Sequence, residues 1–287
     1  MKELTIISGK GGTGKTSLTA AFAGLAENKV IVDADVDAAD MDLILTPTVR
    51  ETDEFKGGHY AVIQPALCTE CGECRQRCQY GAISENFVID KIDCEGCGVC
   101  VYFCPADAIE FPQRTCGKWY ISDTRHGALV HAKLGIAEEN SGLLVSLLRQ
   151  KAKEIAEQQG LGKIIVDGPP GIGCPVIASV ANSNGVLIIT EPTLSGIHDM
   201  QRVRELAGFL KVPAMLCINK HDLNPAMADK MRDYAQSQDM HYVGAIPYDR
   251  DMTKAMVEQQ TLVEYSNGQA AQAVIEIWEK VAARVFP

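Results

Sequence analysis

The hydrophobic positions of the chain fall into short continuous runs separated by longer segments with helical spacing. The runs that predict buried strands are rich in Ile, Leu and Val and lie at residues 4–7, 30–32, 164–166, 186–189, 215–218 and 242–246. Between them the spacing predicts helices at 15–27, 141–159, 197–210, 225–238 and 269–285. Strands that are apolar throughout indicate a mostly parallel sheet covered by helices on both faces. The pattern therefore predicts an α/β fold that binds its ligand at the carboxyl ends of the strands.

Residues 59–112 interrupt this pattern. Most of the cysteines of the chain lie there, in two runs whose spacing is the same: Cys68, Cys71, Cys74 and Cys78, then Cys94, Cys97, Cys100 and Cys104. A segment so short and so rich in cysteine buries little apolar surface, so we expect bound cofactors to serve as its core. We interpret it as an inserted small α+β domain at 59–112, which divides the larger domain into 1–58 and 113–287.

Composition and charge narrow the classes of function. The chain has 287 residues, 46% of them hydrophobic, which is typical of a globular protein. A formal net charge of −10 argues against general nucleic-acid binding, which requires an excess of Lys and Arg. No run approaches the ~18 apolar residues of a membrane span, and the first residues lead directly into a strand rather than a signal peptide. We therefore expect a cytoplasmic protein without stable membrane association. Of its 11 cysteines, we expect the eight clustered ones to ligate metal rather than form disulfides.

The glycine-rich turn after the first strand matches the pattern G-x-x-x-x-G-K-[ST] of phosphate-binding loops. It consists of Gly9, Lys10, Gly11, Gly12, Thr13, Gly14, Lys15 and Thr16, followed by Ser17. The preceding strand and following helix distinguish it from a chance glycine-rich turn. Its glycines let backbone N–H groups surround the phosphates of ATP. We expect Lys15 to reach the β- and γ-phosphates and the Thr16 hydroxyl to bind Mg²⁺.

Lys10 resembles the signature lysine of the deviant Walker A motif, and with it the chain resembles the MinD/ParA/Mrp superfamily of P-loop ATPases, which includes the nitrogenase iron protein. The resemblance implies a homodimer that forms on ATP binding, in which Lys10 reaches the partner's phosphates as an arginine finger does. Asp35, after the second strand, matches the aspartate that orients the attacking water. The expected catalytic residues are therefore Lys10, Lys15 and Asp35. A solvent-exposed loop lysine is the alternative for Lys10.

The resemblance also implies roles for residues at the ends of later strands. Asp167 begins a segment similar to the Walker B and switch II region, where it would hold the Mg²⁺ shell and the N–H of Gly171 would sense the γ-phosphate. Asn219 resembles the residue that hydrogen-bonds adenine, and Pro247 belongs to a segment that resembles the opposite wall of the base pocket. A strand-end asparagine that only forms a turn is the alternative for Asn219.

The two cysteine runs reproduce the spacing of bacterial ferredoxins with two clusters. In that arrangement, three cysteines of one run and the last cysteine of the other hold each [4Fe–4S] cluster. The expected ligands are Cys68, Cys71, Cys74 and Cys104 for one cluster, and Cys94, Cys97, Cys100 and Cys78 for the other. Structural zinc is one alternative, although zinc sites usually use cysteines in pairs. A purely structural role for the clusters is another.

Three hypotheses for the function follow. In the first, a nucleotide-dependent dimer gates electron transfer through the two clusters to a redox or metalloprotein partner, including during assembly of a metallocofactor, with ATP hydrolysis that is slow or stimulated by the partner. In the second, the ATPase carries or matures an iron–sulfur or metal cofactor. The third is a positioning switch of the MinD/ParA type, which has no use for two clusters. Eight regularly spaced cysteines favour permanent clusters and so the first hypothesis, while Cys116 and Cys174 receive no role from the sequence.

Overall fold

The computed structural model describes residues 1–135 and 141–287, and the chain divides into two compact units. The first, which we call the ATPase unit, comprises Met1–Asp53, Trp119–Leu134 and the described residues from 141 onward. The second, the cysteine-rich unit, comprises Glu54–Lys118 and a short return segment that begins at Gly135. All eight repeated cysteines lie in the second unit.

Nine of the strands form one sheet, and the remaining two pair separately. The strands are β1 (Lys2–Ser8), β2 (Lys29–Asp33), β3 (Thr48–His59), β4 (Val62–Ile63), β5 (Ile109–Glu110), β6 (Gln113–Thr124), β7 (Gly127–Leu134), β8 (Lys163–Asp167), β9 (Gly185–Thr190), β10 (Ala214–Asn219) and β11 (His241–Ile246). The order in the sheet is β11-β10-β9-β1-β8-β2-β7-β6-β3. From β11 to β7 each strand runs parallel to its neighbours. The predicted mostly parallel sheet is thus confirmed.

Helices cover both faces of this sheet. The helices of the ATPase unit are α1 (Lys15–Leu25), α2 (Met41–Leu45), α5 (Gly142–Gln159), α6 (Cys174–Val180), α7 (Leu194–Phe209), α8 (Pro225–Ser237), α9 (Asp251–Val257), α10 (Leu262–Tyr265) and α11 (Gln269–Val285). The short helices α3 (Glu73–Arg77) and α4 (Val99–Tyr102) belong to the cysteine-rich unit. Short 3₁₀ helices occur at Val36–Ala38 and His221–Leu223. Across residues 1–135 and 141–287, no helix is both long and apolar enough to cross a membrane.

The continuous apolar strands follow from burial on both faces. On one face, Leu4 and Ile6 of β1 pack in a core with Phe22 of α1 and Trp278 of α11. On the other face, Ile7 of the same strand packs with residues of α6, α7 and α8. Successive side chains of a strand point to opposite faces, so a strand covered on both sides is apolar along most of its length.

Three strands of the nine-stranded sheet were absent from the sequence-based prediction. In β3 only Phe55 is buried, so no apolar run marks this strand. β6 and β7 are joined by the two-residue turn 125–126 and bury only part of their side chains. These strands lie together at one edge of the sheet, and the exposed positions of β3 and β6 weaken the sequence signal there.

The cysteine-rich unit has little regular structure. It contains the short helices α3 and α4, the antiparallel pair β4–β5 and a single bridge between Ile83 and Ile89. Its apolar core of buried residues consists of Ala61, Cys74, Ile83 and Ile109. A core of this size is small for an independent unit.

Candidate functional site

A cavity of about 260 Å³ lies over the turn between β1 and α1. It is bordered by the glycine-rich loop from residue 11 to 17 and by Asp35, Asp40, Pro170 and Met256. Gly9 lies at the start of the loop, where a Cβ atom would come within 2.2 Å of Asp199 Cβ, so only glycine fits there. The structure thus brings the predicted phosphate loop and the predicted Asp35 to one cavity.

The backbone of this loop requires glycine at two positions. Gly12 and Gly14 have φ angles of +79° and +86°, in the left-handed region that glycine adopts without strain. Gly14 precedes α1 and offers no side chain to cap the helix. The first N–H groups of α1 are therefore available to a phosphate, which the helix dipole also favours. Thr13 adds a buried hydroxyl that has no hydrogen-bond partner among the described residues.

Lys15 lies between two carboxylates at the base of the cavity. Its Nζ is 3.0 Å from Asp35 Oδ2 and 3.1 Å from Asp167 Oδ1. Burial alone would lower the pKa of Lys15, but the charges of Asp167 and Asp35 outweigh burial and hold this pKa above its ordinary value. The lysine is therefore charged, and an incoming triphosphate would compete with these carboxylates for it.

The aspartates around Lys15 share one buried region at the ends of β2 and β8. Burial, and then the charge of Asp167, hold the pKa of Asp33 well above its usual range. Burial also raises the pKa of Asp35, and the ammonium of Lys15 offsets only part of that effect. The backbone N–H of Asp35 donates to Asp33 Oδ1 at 3.2 Å, which fixes the loop that presents Asp35 to the cavity.

Asp167 is fully buried and accepts hydrogen bonds from two threonines of α1. Thr16 Oγ1 donates to Asp167 Oδ2 at 2.7 Å. This hydrogen bond links the two residues that were predicted to hold Mg²⁺. Thr19 Oγ1 lies 2.8 Å from Asp167 Oδ1 and 2.9 Å from the backbone oxygen of Lys15. Hydroxyl and carboxylate oxygens are the ligands that Mg²⁺ prefers, directly or through water. The pair fits a Mg²⁺ ion bound together with the nucleotide.

Thr19 was not predicted as a site residue. It falls outside the phosphate-loop pattern, and its sequence signal is only its position three residues after Thr16, on the same face of α1.

Lys10 lies close to the start of α7. Its Nζ is 3.4 Å from Ser195 Oγ and 3.7 Å from Glu191 Oε2. Lys220 Nζ contacts the other oxygen of Glu191 at 2.5 Å and lies 3.4 Å from the backbone oxygen of Gly12. Glu191 therefore joins two lysines beside the phosphate loop, and the sequence-based prediction missed it because a single glutamate after a strand matches no motif.

Of the predicted base-binding residues, Asn219 contacts the phosphate loop. The side-chain amide of Asn219 donates to the backbone oxygen of Thr13 at 2.8 Å, and its Oδ1 accepts from the N–H of Lys220 at 2.9 Å. The residue after Pro247 is joined to the same region, because the N–H of Tyr248 donates to Asp222 Oδ1 at 2.6 Å. Asn219 thus braces the phosphate loop, and its predicted contact with adenine stays a prediction.

Gly171 follows Asp167 in the predicted switch II segment. Its φ angle is +92°, and its N–H donates to the backbone oxygen of Ser8 at 2.9 Å. The segment is therefore tied to the end of β1. To sense a γ-phosphate, as predicted, this N–H would have to leave Ser8.

The cysteines of the second unit border two separate cavities. Each cavity has four cysteines in its lining, three from one run and one from the other: Cys68, Cys71, Cys74 and Cys104 for the first, and Cys78, Cys94, Cys97 and Cys100 for the second. Within residues 1–135 and 141–287, no three or more His, Cys, Asp or Glu side chains converge closely enough to hold a single metal ion.

The other three cysteines lie apart from these cavities. Cys217 is fully buried in β10, and burial raises the pKa of its thiol to about 12, which is typical of an unreactive core residue. Cys116 is buried, with its Sγ 2.9 Å from the backbone oxygen of Gly57. Cys174 is exposed at the start of α6.

A family model and several relatives match this chain over most of its length. The model of the CbiA family, described as the CobQ/CobB/MinD/ParA nucleotide binding domain, matches residues 4–263. An uncharacterized protein of Methanocaldococcus jannaschii is 33% identical over 97% of this chain and 96% of its own length. A putative septum site-determining protein MinD of Mesostigma viride is 25% identical, over 91% of this chain and 76% of its own length.

Solved structures share the fold at lower identity. MinD in the MinC:MinD complex of Aquifex aeolicus superposes with a TM-score of 0.59 at 18% identity, covering 100% of this chain and 98% of that one. MinD of Pyrococcus horikoshii, solved with Mg-ADP, gives a TM-score of 0.59 at 17% identity over 98% and 95% of the two chains. With its phosphate loop, buried Lys15 and paired Thr16 and Asp167, this chain is a P-loop ATPase that belongs to the CobQ/CobB/MinD/ParA family.

Proposed function

We propose that ATP-dependent dimerisation of this chain gates electron transfer through two [4Fe–4S] clusters, held by an inserted ferredoxin-like domain at 59–112, to a redox or metalloprotein partner. The grouping of the cysteines is the observation that supports this most. Cys104 borders the cavity of Cys68, Cys71 and Cys74, while Cys78 borders the cavity of Cys94, Cys97 and Cys100. This exchange of the fourth cysteine is the ligand pattern of two-cluster ferredoxins.

The chemistry of the donor groups fits such clusters. A single ion draws all its ligands to within ~2.3 Å of one point, whereas a cubane distributes four thiolates over four irons and so holds them further apart. Backbone N–H groups also donate to two of the sulfurs, from Glu70 to Cys68 Sγ at 3.4 Å and from Ala108 to Cys104 Sγ at 3.3 Å. Hydrogen bonds to sulfur tune cluster potentials, and the bound clusters would supply one-electron transfer.

The ATPase unit supplies the gate. In this proposal, Lys15 and the N–H groups of the loop bind the phosphates, Thr16 and Asp167 hold Mg²⁺, and Asp35 orients the attacking water. Lys10 leaves Glu191 and reaches the phosphates of the second subunit. The Asn219 and Pro247 regions bind adenine, and the Gly171 N–H moves from Ser8 to the γ-phosphate. The electron comes from a low-potential one-electron donor and passes to an acceptor protein.

Metal content and nucleotide-dependent electron transfer test the proposal. Anaerobically purified protein should contain about eight iron atoms and eight sulfides per chain. In stopped-flow oxidation of the reduced protein by an acceptor, MgATP should change the rate for wild type and leave it unchanged for Lys15→Ala. Equal oxidation rates of wild type with and without MgATP would contradict the proposed gating of electron transfer by nucleotide. Cys71→Ser should lose iron, whereas the control Cys217→Ser should retain it.

A second candidate is a carrier or maturation ATPase for iron–sulfur or metal cofactors. The exposure of Cys71 and Cys97, the second cysteine of each run, favours it, because a cluster to be handed over needs accessible ligands. Transfer of ⁵⁵Fe and sulfide from the loaded chain to an apo-client, with loss of the donor's own clusters, would distinguish this role. Clusters that remain through many turnovers of ATP would exclude it. A MinD-type positioning switch is a third candidate and leaves the two cysteine groups without a role.

A further inference from the structure

Arg125 lies in the two-residue turn between β6 and β7, and its guanidinium contacts α2. Nη1 and Nη2 each donate to the backbone oxygen of Ile44 at 3.1 Å. Ile44 lies in the last turn of α2, where carbonyl groups have no partner within the helix. A rigid cationic fork is well suited to hold such a carbonyl.

The guanidinium is fixed from its other side by the C-terminal part of the chain. Nε donates to Glu264 Oε1 and Nη2 to Glu264 Oε2, both at 2.8 Å, and Nη2 also donates to the backbone oxygen of Gln259 at 2.9 Å. Glu264 is itself held by the N–H of Thr261, which donates to Oε2 at 2.7 Å. A bidentate pair of this kind fixes direction as well as distance. Because these bonds hold the guanidinium of Arg125 in place, a displacement of α2 is transmitted to Arg125 rather than absorbed by rotation of its side chain.

The other end of α2 lies at the nucleotide cavity. Asp35 and Asp40 precede α2 in the chain, and both border the cavity. Asp35 is bound to Lys15, which an entering triphosphate would attract. Exchange of this carboxylate for a phosphate would release Asp35 and so allow the loop that leads into α2 to move, as in other switch segments that order around a γ-phosphate.

The contact between Arg125 and Ile44 also lies where the chain leaves for the cysteine-rich unit and returns from it. β3 starts at Thr48, just after α2, and the chain enters that unit at Glu54. The chain leaves the unit after Lys118 and follows β6 to Thr124, directly before Arg125. Along the chain, β3, which leads to the cysteine-rich unit, therefore begins close to Ile44. β6, which leads back from that unit, ends directly before Arg125.

We infer that Arg125 is a positioning residue that couples the nucleotide state of the ATPase unit to β6 and so to the cysteine-rich unit. Its effect on the clusters rests on the proposed function, but its effect on β6 does not. The inference assigns no contact with nucleotide to Arg125. It predicts that loss of the guanidinium uncouples β6 from ATP while ATP still binds.

Hydrogen–deuterium exchange on the full chain tests the coupling without reference to the clusters. In wild type, MgATP should change the exchange rate of amides in 113–124 by about fivefold or more, the lower range of typical allosteric couplings. In Arg125→Gln this ratio should fall to about one, with MgATP affinity unchanged within about threefold, because Arg125 is absent from the cavity lining. Arg232→Gln is the matched control, because it removes a guanidinium whose partner is the exposed Asp229 of the same helix.

A second variant guards against a simple loss of folding. Glu264→Gln keeps Arg125 but removes the charge that fixes it, so the exchange response of 113–124 should be smaller than in wild type when each variant is measured well below its own thermal midpoint. A wild-type response in both Arg125→Gln and Glu264→Gln would overturn the inference, as would the absence of any response in wild type. A response in 113–124 without an effect of MgATP on cluster oxidation would support the coupling and count against the proposed function alone.

Discussion

At the scale of single residues, Thr19 illustrates how a side chain outside the recognised pattern completes a site. Its hydroxyl holds Asp167 Oδ1, while Thr16 holds Oδ2, so the two threonines of α1 fix both oxygens of the carboxylate. Groups that orient a metal-binding carboxylate typically contribute 10–100-fold to metal affinity or activity.

We expect Thr19→Val to raise the Mg²⁺ concentration for half-maximal ATPase activity by about tenfold, because Asp167 loses one of its donors. Thr19→Ser keeps the hydroxyl and should behave like wild type. Mg²⁺ titration of ATP hydrolysis, with the thermal midpoint of each variant as a control for folding, measures the effect. Equal Mg²⁺ requirements for Thr19→Val and wild type would show that Asp167 is positioned without Thr19.

His131 is a buried titratable residue of β7 outside the nucleotide site. Its Nε2 lies 2.9 Å from Ser122 Oγ, and its ring stacks on Tyr120 at a centroid distance of 5.1 Å. Burial lowers the pKa of His131 to about 4, an effect that Lys133 reinforces and Asp42 only partly offsets. Between pH 6.5 and 4 the unfolded chain therefore binds a proton that the folded chain does not, and stability is lost as pH falls.

We expect wild type to lose about 1 kcal/mol of folding free energy at His131 between pH 7.5 and pH 5.5. His131→Gln cannot take up this proton, so its unfolding free energy should fall less over the same range. Chemical unfolding of both proteins at the two pH values measures the difference, and effects common to both cancel. If the unfolding free energies of wild type and His131→Gln fall equally between the two pH values, residues other than His131 cause the acid sensitivity.

The site residues that could be predicted from the sequence are those that belong to motifs with a fixed spacing. Lys15, Thr16 and Asp167 follow strand ends in recognisable patterns, and they meet at one cavity. Thr19, Glu191 and Arg125 act through contacts with residues distant in sequence, at spacings that no local pattern records. Their partners can be identified only in the folded chain, where β6, β8 and β9 have their places in the sheet.

At the scale of elements, β11 and α11 meet at Gly244. The register between β10 and β11 shifts next to Cys217, and Gly244 takes a φ angle of +153°. A Cβ atom at this position would lie 2.8 Å from Ile277 Cγ1 of α11. The close approach of helix and strand therefore depends on the absence of a side chain.

Gly244→Ala should destabilise the fold by about 2 kcal/mol, because it combines backbone strain with a clash against α11. Gly162→Ala is the matched control: a Cβ atom there meets nothing within 4 Å, and its unfolding free energy should change by about 0.5 kcal/mol or less. Denaturant unfolding of both variants measures the difference. Equal stabilities would mean that α11 can shift away from β11 without cost.

The elements that sequence predicted and those that it missed differ in burial. Strands of the sheet centre are buried along most of their length and mostly apolar, and all were predicted within a few residues of their ends. β3 and β6 carry many exposed polar side chains, and β3, with only Phe55 buried, has the composition of a surface loop. β7 is buried from Ala128 to Ala132, but the polar His131 interrupts its apolar run. The places of β3 and β6 are set by pairing with neighbours rather than by burial.

At the scale of the whole molecule, Lys10 is the residue whose role depends on a second chain. Here it faces Glu191 and Ser195 of its own chain. In the proposed dimer it moves to the partner's nucleotide, so its removal should act on assembly and turnover and not on the cysteine-rich unit.

Lys10→Ala should abolish ATP-induced dimerisation and lower ATP turnover by about 10³-fold, as loss of a charge supplied in trans does in related systems. The visible absorbance of the proposed clusters and the iron content should not change. Size-exclusion chromatography with multi-angle light scattering, with and without MgATP, measures dimerisation, and Lys230→Ala on α8 is the control. A dimer formed by Lys10→Ala with MgATP would remove the trans role of this lysine.

The position of β3 and β6 in the sheet also bears on the ancestry of the chain. They are adjacent, with β3 at the edge, so the segment 60–112 connects two neighbours as a tight hairpin would. The entropic cost of lengthening such a connection grows only with the logarithm of its length. The segment can therefore be inserted between β3 and β6, or removed, at a small entropic cost to the rest of the sheet. A recombination event that gained or lost it would leave the strand order from β11 to β7, and with it the phosphate loop, as it was.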